Sequence, residues 1–455
     1  MEVWRPLQTR PLTWFTFWAN YQLGGRQPLG YHAVNLALHL AAALLLLEIL
    51  GRWMPPRAAL IGAVLFAVHP IQAEAVIYIF ARGTLLATLL CLLSLRAWMA
   101  GRRWPAVAWF GIALLAKEEC VAFPILLLFW HLVDRRDRAE RPPLAIMTLL
   151  SLAAGARVLA ALAANPGAYA GAQAGISPGD YLLVQGVVLW RYARLLALPW
   201  GFTVDPEIHA TGAWAGWLVL AAATAFALLS ARRLRPAFWA LGALILLAPS
   251  SSIFPASDLA ADRRMYLPMI ALAASAGLLL RRLNAKALAT AAVFLVILSA
   301  GRCQTWRTER SLWSEAVARA PGKVRPRIQL ARTSPPAEAE KLLLEAAALE
   351  PENPAVPAEL GRLYLTQGRA GQALAQFGRA LALRPDSPQA LGNRGLALLG
   401  LGQWAAARQD FERALALDPC LFDARFNLHQ MGVRTPAPAS CRYSDQQLLL
   451  LRDGR

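Results

Sequence analysis

Ten ionisable residues stand out by type and by place: His69, Glu74, Arg82, Lys117, Glu118, Asp205, Asp258, Asp262, Arg263 and Arg264. Each lies in or beside a strongly apolar run. An ionisable group at the end of an apolar span is costly unless it pairs or lines water. Charges of both signs gathered in this way point to a polar site at a membrane face, with ordinary interfacial residues as the alternative. Carboxylates there can move a proton, and guanidinium or ammonium groups can hold an anionic group by charge-assisted hydrogen bonds. Arg263 and Arg264, consecutive and next to Asp262 and Tyr266, carry the charge for a phosphate; anchoring of a span end explains them equally well. Lys117, Glu118 and Glu119 sit between two apolar runs, where a salt-bridged helical break accounts for them as well as a functional pair does. His39 and His69 read as packed histidines, because no second ligand stands at chelating spacing, so no metal site is expected.

The elements that must position these groups are apolar helices. The 455 residues are 57% hydrophobic and 16% charged, with mean hydropathy +0.40 and net charge +18. This excludes a disordered chain and argues against an ordinary soluble enzyme. Residues 1–301 hold 38 of the 74 charged side chains, and 302–455 hold 36, so a long apolar part precedes a smaller polar one. Ten apolar runs occur near 31–51, 57–70, 83–101, 104–117, 119–133, 143–165, 211–231, 236–252, 265–281 and 286–301. A further run, 180–198, carries Arg191 and Arg194 and reads as a re-entrant or interfacial helix. The loops 51–57, 101–103, 134–141, 232–235 and 281–286 hold 14 basic residues in 28 positions; the alternate loops hold 9 in 104. The positive-inside rule puts the first set in the cytoplasm. The amino terminus, the candidate residues and everything after 301 then face outward. The first thirty residues are polar and aromatic, so no cleavable signal peptide is expected. The basic charge clusters between apolar runs, which fits a membrane partner and not nucleic acid.

Residues 354–387 and 388–421 repeat at an offset of 34. Gly361 matches Gly395, Ala373 matches Ala407, Phe377 matches Phe411, Ala380 matches Ala414, and Pro385 matches Pro419; Tyr364 has Leu398 as its counterpart. Small residues where two helices touch, an aromatic in the seam and a closing proline form the tetratricopeptide pattern. A degenerate earlier repeat contains Ala339, Leu343, Ala346 and Pro351, and Phe422–Met431 reads as a capping helix. The expected organisation is all-α: a polytopic membrane domain of about ten spans over 1–301, a bridge with the degenerate repeat over 302–353, two repeats over 354–421, and a cap and tail over 422–455. Cys420 and Cys441 are either a pair or two free thiols. The repeats offer a concave groove for a peptide or protein, or a structural cap on the membrane domain.

Several stretches, taken in order, carry a resemblance. They are Arg10-Pro11-Leu12-Thr13; Tyr31-His32-Ala33-Val34-Asn35 with Leu38-His39; His69-Pro70-Ile71-Gln72-Ala73-Glu74-Ala75-Val76 with Arg82; Lys117-Glu118 with Pro124; Tyr192, Arg194, Pro199 and Asp205; Pro249-Ser250-Ser251 leading to Arg264-Met265-Tyr266-Leu267-Pro268; and Arg302, Trp306, Leu312-Trp313 and Pro321. With the repeats, from about Arg10 to Pro419, the chain resembles the transmembrane and tetratricopeptide-repeat O-mannosyltransferase-like family, of the GT-C glycosyltransferase fold. The resemblance implies a lipid-linked sugar donor, a polyprenyl phosphate bearing mannose, and a protein or glycan acceptor. It places Arg82, Lys117, Asp205, Asp262, Arg263, Arg264 and Tyr266 as candidates for substrate or lipid-phosphate binding and leaves Glu74 and Glu118 as candidate carboxylates for catalysis. A divalent cation is implied by the resemblance alone; no cofactor is read from the residues. The family has His where Gln72 stands, Gly where Ala81 stands and Asp where Thr84 stands. It also has a first membrane helix and an acidic outer loop ahead of the Arg-Pro-Leu-Thr motif, where this chain has Glu2 as its only acid, so the chain as given is expected not to transfer sugar. A non-catalytic membrane scaffold with protein-recruiting repeats is the alternative. Ala-, Leu- and Arg-rich usage fits a GC-rich bacterium, with the protein in the inner membrane and the repeats in the periplasm.

Overall fold

Proline starts many of the helices and small residues let them touch. Pro lacks the amide hydrogen that a first helical turn leaves unbonded in any case. It opens α1 (Pro11–Gly24), α2 (Pro28–Gly51) and α3 (Pro56–Val68). Gly25, at φ +61°, ends α1 in a conformation that favours glycine. The computed structural model describes residues 10–133, 141–164, 176–231, 234–251, 256 and 258–452. Glu2 lies outside them. The regular elements are helices, and the chain divides into two compact units, Met1–Arg307 and Thr308–Arg455.

In the first unit α3 stops at His69, because Pro70 cannot continue it. A 3-10 turn, Pro70–Gln72, leads into α4 (Ala73–Ile77), bent by 46° from α3. There follow α5 (Arg82–Met99), α6 (Arg103–Ala116), a 3-10 turn at Glu118–Ala122, α7 (Phe123–Val133), α8 (Arg141–Ala164), α9 (Pro178–Ala197), α10 (Ala213–Ser230) and α11 (Arg235–Leu247). A last 3-10 turn, Asp262–Met265, runs into α12 (Met269–Leu280), and α13 (Ala285–Thr305) closes the unit. Among the described residues, five helices are long and apolar enough to cross a membrane: α2, Ile79–Met99, Pro142–Ala161, α10 and α13. The bent pair of α3 and Pro70–Ile77 would make a sixth, and shorter apolar helices lie at Arg103–Ala116, Arg235–Ser250 and Met269–Leu280. The stretch read as re-entrant or interfacial is α9, a helix of 20 residues.

In lipid the hydrophobic effect does not drive one apolar helix onto another, so close backbone packing must do it. A methyl group on Gly62 of α3 would stand 2.7 Å from the Ala273 carbonyl oxygen of α12. One on Gly277 of α12 would stand 2.2 Å from that of Ala58. The same device joins α9 to α10 through Gly186 and Gly216, where a methyl on Gly186 would lie 2.3 Å from the Ala213 oxygen. The α3–α12 contact has the wider consequence, because it fixes both the turn after α3 and the turn before α12.

The second unit is a helical solenoid: α14 (Glu309–Arg319), α15 (Val324–Arg332), α16 (Pro336–Leu349), α17 (Ala355–Thr366), α18 (Ala370–Leu383), α19 (Pro388–Gly400), α20 (Trp404–Leu417), α21 (Phe422–Gln430) and α22 (Asp445–Arg452). Gly368 and Gly402 both adopt φ +73° in the turns of the two clear repeats. Phe377 and Phe411 are fully buried. Gly361 and Gly395 make room for their rings, which a methyl at either glycine would meet at 2.7–2.8 Å. Tyr364 donates to the Glu340 carboxylate at 2.8 Å beneath the Arg369 guanidinium. In the next repeat, Arg394 forms a two-pronged pair with Asp410 at 2.7 Å. Cys420 and Cys441 form a disulfide, which resolves the two readings of these thiols.

Two outcomes are expected of this packing. Gly277→Ala drives a methyl into the backbone of α3 and should destabilise the first unit by about 1–3 kcal/mol, as overpacking does; a melting temperature unchanged in detergent would contradict the close contact. Residues 308–455 expressed alone should give a helical circular dichroism spectrum. Phe377→Ala or Phe411→Ala should cost that fragment about 3–5 kcal/mol as truncation of a buried ring. A disordered spectrum, or melting of the variants indistinguishable from the parent, would contradict it.

Candidate functional site

The bend after α3 builds the first wall. His69 accepts the Ile71 amide through Nδ1 at 3.2 Å, so its Nε2–H donates to the Leu196 carbonyl of α9, also at 3.2 Å. This neutral histidine caps the turn and ties it to α9, and is not a metal ligand. One turn on, Glu74 is 4% exposed. Its carboxylate accepts the Arg263 backbone amide at 3.2 Å and pairs with the Arg263 guanidinium. Arg263 donates from its other nitrogen to Asp258 at 2.9 Å and lies 5.8 Å from the Tyr78 ring. Burial works against the charge of Arg263, but Glu74 and Asp258 outweigh it and push its pKa up.

Helix α9 holds this segment from the other side. Arg191 pairs with Asp262, itself 3% exposed, at 2.5 Å. The Tyr192 hydroxyl donates to the Ala261 carbonyl at 2.9 Å and accepts the Ala261 amide at 3.0 Å. Burial pushes its pKa up to about 12, so it is a neutral strut. Gln185 donates to the Leu259 carbonyl at 3.2 Å. Arg264 differs from its neighbour. It donates to the Tyr181 hydroxyl and the Leu259 carbonyl, both at 3.2 Å, and to the Asp258 carbonyl at 2.5 Å. Among the described residues no carboxylate pairs with it, and it is half-buried. Its charge is therefore not cancelled locally.

A second cluster forms at the Glu118–Ala122 turn. Arg10 grips Glu118 with Nε at 2.9 Å and with Nη2. Burial pushes the Glu118 carboxyl up, and the Arg10 guanidinium more than offsets this, holding it below the usual carboxylate range. Lys117 pairs with Glu119 at 2.6 Å and donates to the Thr84 hydroxyl at 2.5 Å; burial lowers its pKa. Arg10 lies near enough to Arg263 for the two charges to repel.

The structure thus brings Glu74, Asp258, Asp262, Arg263 and Arg264 together, and pairs Lys117 with Glu119 and Glu118 with Arg10. It places others elsewhere. Tyr266 is fully buried beneath the site: its hydroxyl donates to His39 Nδ1 at 2.8 Å, and its ring packs on Phe66 at 5.3 Å. Arg82 has no exposed surface and donates only to neutral acceptors. Asp205 is buried in the irregular stretch between α9 and α10. Among the described residues, no group of three or more His, Cys, Asp or Glu could hold a metal ion; Glu74, Asp258 and Asp262 each already hold a guanidinium. Sequence reasoning missed Arg10, Tyr181, Gln185 and Arg191 as builders of the site. The signal for α9 was present: residues 181, 185, 188, 192 and 195 follow helical spacing, and all five are buried.

Residues 360–431 match the family model described as tetratricopeptide repeat. The human protein named Protein O-mannosyl-transferase TMTC4 is 27% identical over 396 residues, covering 69% of this chain and 53% of that protein. A Caenorhabditis elegans protein O-mannosyl-transferase is 26% identical over 344 residues, covering 69% of this chain and 49% of its own length. Drosophila melanogaster Protein O-mannosyl-transferase Tmtc1 is 38% identical over 125 residues, 26% of this chain and 15% of that one. The chain is thus similar to proteins named protein O-mannosyl-transferase, and its carboxy-terminal part is similar to tetratricopeptide repeats. It spans about half the length of the curated relatives it matches. With five described helices long and apolar enough to cross a membrane and a repeat match at 360–431, the chain is a multi-pass membrane protein with a repeat region.

The Glu74–Arg263 pair should behave as a buried ion pair. Arg263→Ala strands a buried carboxylate and should cost the first unit about 3–5 kcal/mol, whereas Glu74→Gln, which removes the stranded charge as well, should restore part of that in the double variant. Melting in detergent of the two single variants and the double variant tests this. Strictly additive losses would show that the two side chains do not act as a pair.

Proposed function

We propose that this chain supplies the lipid-phosphate-binding face of a membrane glycosyltransferase, one that moves a mannose-type sugar from a polyprenyl-phosphate donor to a protein or glycan acceptor at the outer membrane face. The observation that carries this is Arg264. A half-buried guanidinium fixed by three neutral acceptors keeps its charge for an anion, and a guanidinium fork suits phosphate. In the transfer, an acceptor hydroxyl bonds to the anomeric carbon as the bond from that carbon to the phosphate oxygen breaks. The phosphate leaves on the lipid, and the hydroxyl proton passes to a carboxylate. Arg264 offsets the charge that grows on the phosphate, and Arg263, already neutralised by Glu74 and Asp258, holds the segment in place. The repeats engage a protein acceptor.

The names of the relatives support the chemistry. The loop-charge asymmetry supports the outward orientation. So does the Cys420–Cys441 disulfide, since disulfides persist in oxidising compartments and are rare in cytosolic proteins. A second reading is favoured by one observation: Glu74 and Glu118 both already hold a guanidinium. On that reading the chain is a membrane-anchored scaffold whose repeats recruit protein partners.

Native mass spectrometry with polyprenyl phosphate, followed by incubation with polyprenyl-phosphate mannose and acceptor peptides, separates these. Arg264→Ala should weaken binding of the lipid phosphate by about tenfold or more, the scale of one charge-assisted contact. Binding unaffected by Arg264→Ala would remove the phosphate from this position. Failure of the parent chain to bind polyprenyl phosphate would select the scaffold.

A further inference from the structure

Arg82 poses a problem that the site does not solve. Its guanidinium has no exposed surface, yet no carboxylate among the described residues pairs with it. It donates through Nε to Asn35 Oδ1 at 2.8 Å, through Nη1 to the Thr16 carbonyl at 3.2 Å and Asn20 Oδ1 at 2.5 Å, and through Nη2 to the Tyr31 carbonyl at 3.0 Å. Four of the five guanidinium N–H groups are thereby used. The rings of Phe17 and Tyr31 lie 4.5 and 5.5 Å from its central carbon, so the charge is held by carbonyl dipoles and aromatic faces. A group so enclosed cannot reach a phosphate at the surface. What its acceptors share is their place. Thr16 and Asn20 belong to α1, Tyr31 and Asn35 to the start of α2, and Arg82 opens α5.

The neighbouring residues continue the pattern toward the site. A methyl on Gly83 would stand 3.0 Å from Thr13 Oγ1 and 3.1 Å from the Ala116 carbonyl oxygen, so α1 and the end of α6 both approach α5 where there is no side chain. Thr13 donates across this gap to the Ala116 carbonyl at 2.8 Å. One turn back along the chain from Thr13, Arg10 grips Glu118. The contacts form a series along α1: Asn20 and Thr16 on Arg82, Thr13 on Ala116, Arg10 on Glu118.

We propose that Arg82 is a positioning residue that holds α1 across the start of α5 and so delivers Arg10 to the polar site. The part that concerns binding rests on the reading of that site as one for a lipid phosphate; the part that concerns α1 does not. Lys cannot replace it, because a single ammonium lacks the planar fork that reaches acceptors on two elements at once. Arg10, which the sequence did not single out as a site residue, then becomes a further guanidinium near Arg263, brought there by a residue that touches no substrate.

The test uses the full chain in detergent with Cys303→Ser, Thr13→Cys and Ala116→Cys, and a short, reducible bifunctional thiol reagent. With Arg82 present, positions 13 and 116 should cross-link readily. Arg82→Gln and Arg82→Lys should each lower the initial cross-linking rate by about tenfold, and Arg82→Gln should weaken polyprenyl phosphate binding by a similar factor. Cross-linking the Arg82→Gln chain to completion should then regain the binding, and reduction should lose it again. General unfolding would not be rescued by one tether. Cross-linking as fast in Arg82→Gln as in the parent would overturn the proposal. So would a completed tether that regains no binding, since Arg82 would then be acting as a ligand. If the parent chain itself binds no polyprenyl phosphate, the proposed function fails while the cross-linking rates still decide the role of Arg82.

Discussion

A carboxylate as deeply buried as Glu74 must find a cation and hydrogen bonds, or fold in a different way. It finds both in one residue, through the Arg263 guanidinium and the Arg263 amide. This interaction joins positions 189 residues apart and fixes the backbone of the segment that carries Asp258, Asp262 and Arg264. The rest of the polar face depends on it. Because Arg263 is spent on Glu74 and Asp258, its neighbour is the guanidinium whose charge remains. Because the segment is fixed, the α9 side chains Gln185, Arg191 and Tyr192 have defined backbone and carboxylate partners to meet.

That pair could not form if the helices beneath it stood farther apart. Glu74 follows the end of α3 and Arg263 precedes α12, so the gap between these helices sets the gap between the charges. Gly62 and Gly277 let the two backbones approach to a distance at which a single methyl group would collide with a carbonyl oxygen. The packing of small residues in the apolar layer and the ion pair in the polar layer are two parts of one constraint. A similar relation holds at the other cluster, where Gly83 lets α1 and α6 meet over α5 and brings Arg10 to Glu118.

The repeats were the most legible part of the chain. A period of 34 with small and aromatic residues at fixed offsets has one economical packing, and Gly361, Phe377, Gly395 and Phe411 occupy it. The all-α architecture was legible for the same reason: long apolar runs punctuated by proline and basic loops have few other solutions. The candidate site was legible in its membership more than in its roles. Glu74, Asp262, Arg263 and Arg264 were chosen as ionisable groups near span ends, and they do converge. Nothing in their order along the chain says which charge pairs with which, because the partners lie 71 and 189 residues apart. Arg82, chosen on the same grounds, and Tyr266, placed by the resemblance, lie beneath the surface. Burial depends on tertiary packing, which local sequence does not report. Arg10 was passed over because its partner, Glu118, is 108 residues away.

Arg82, Arg263 and Arg264 are the same amino acid, and the fold gives them three different electrostatic roles. Arg263 is neutralised by two carboxylates and acts as a strut. Arg82 is solvated by amide and carbonyl oxygens and by rings, away from water, and acts as a fastening between helices. Arg264 is oriented by neutral groups that leave its charge outstanding, and it is only half-buried. A polar site in an apolar body needs all three kinds. An exposed cation with no strut behind it would not hold a fixed direction, and a strut with no fastening beneath would not hold a fixed height. The number of charges near a span end therefore says little about how many of them meet a ligand. The count that matters is of charges left after the protein's own carboxylates have been assigned, and among the described residues Arg264 is one of these.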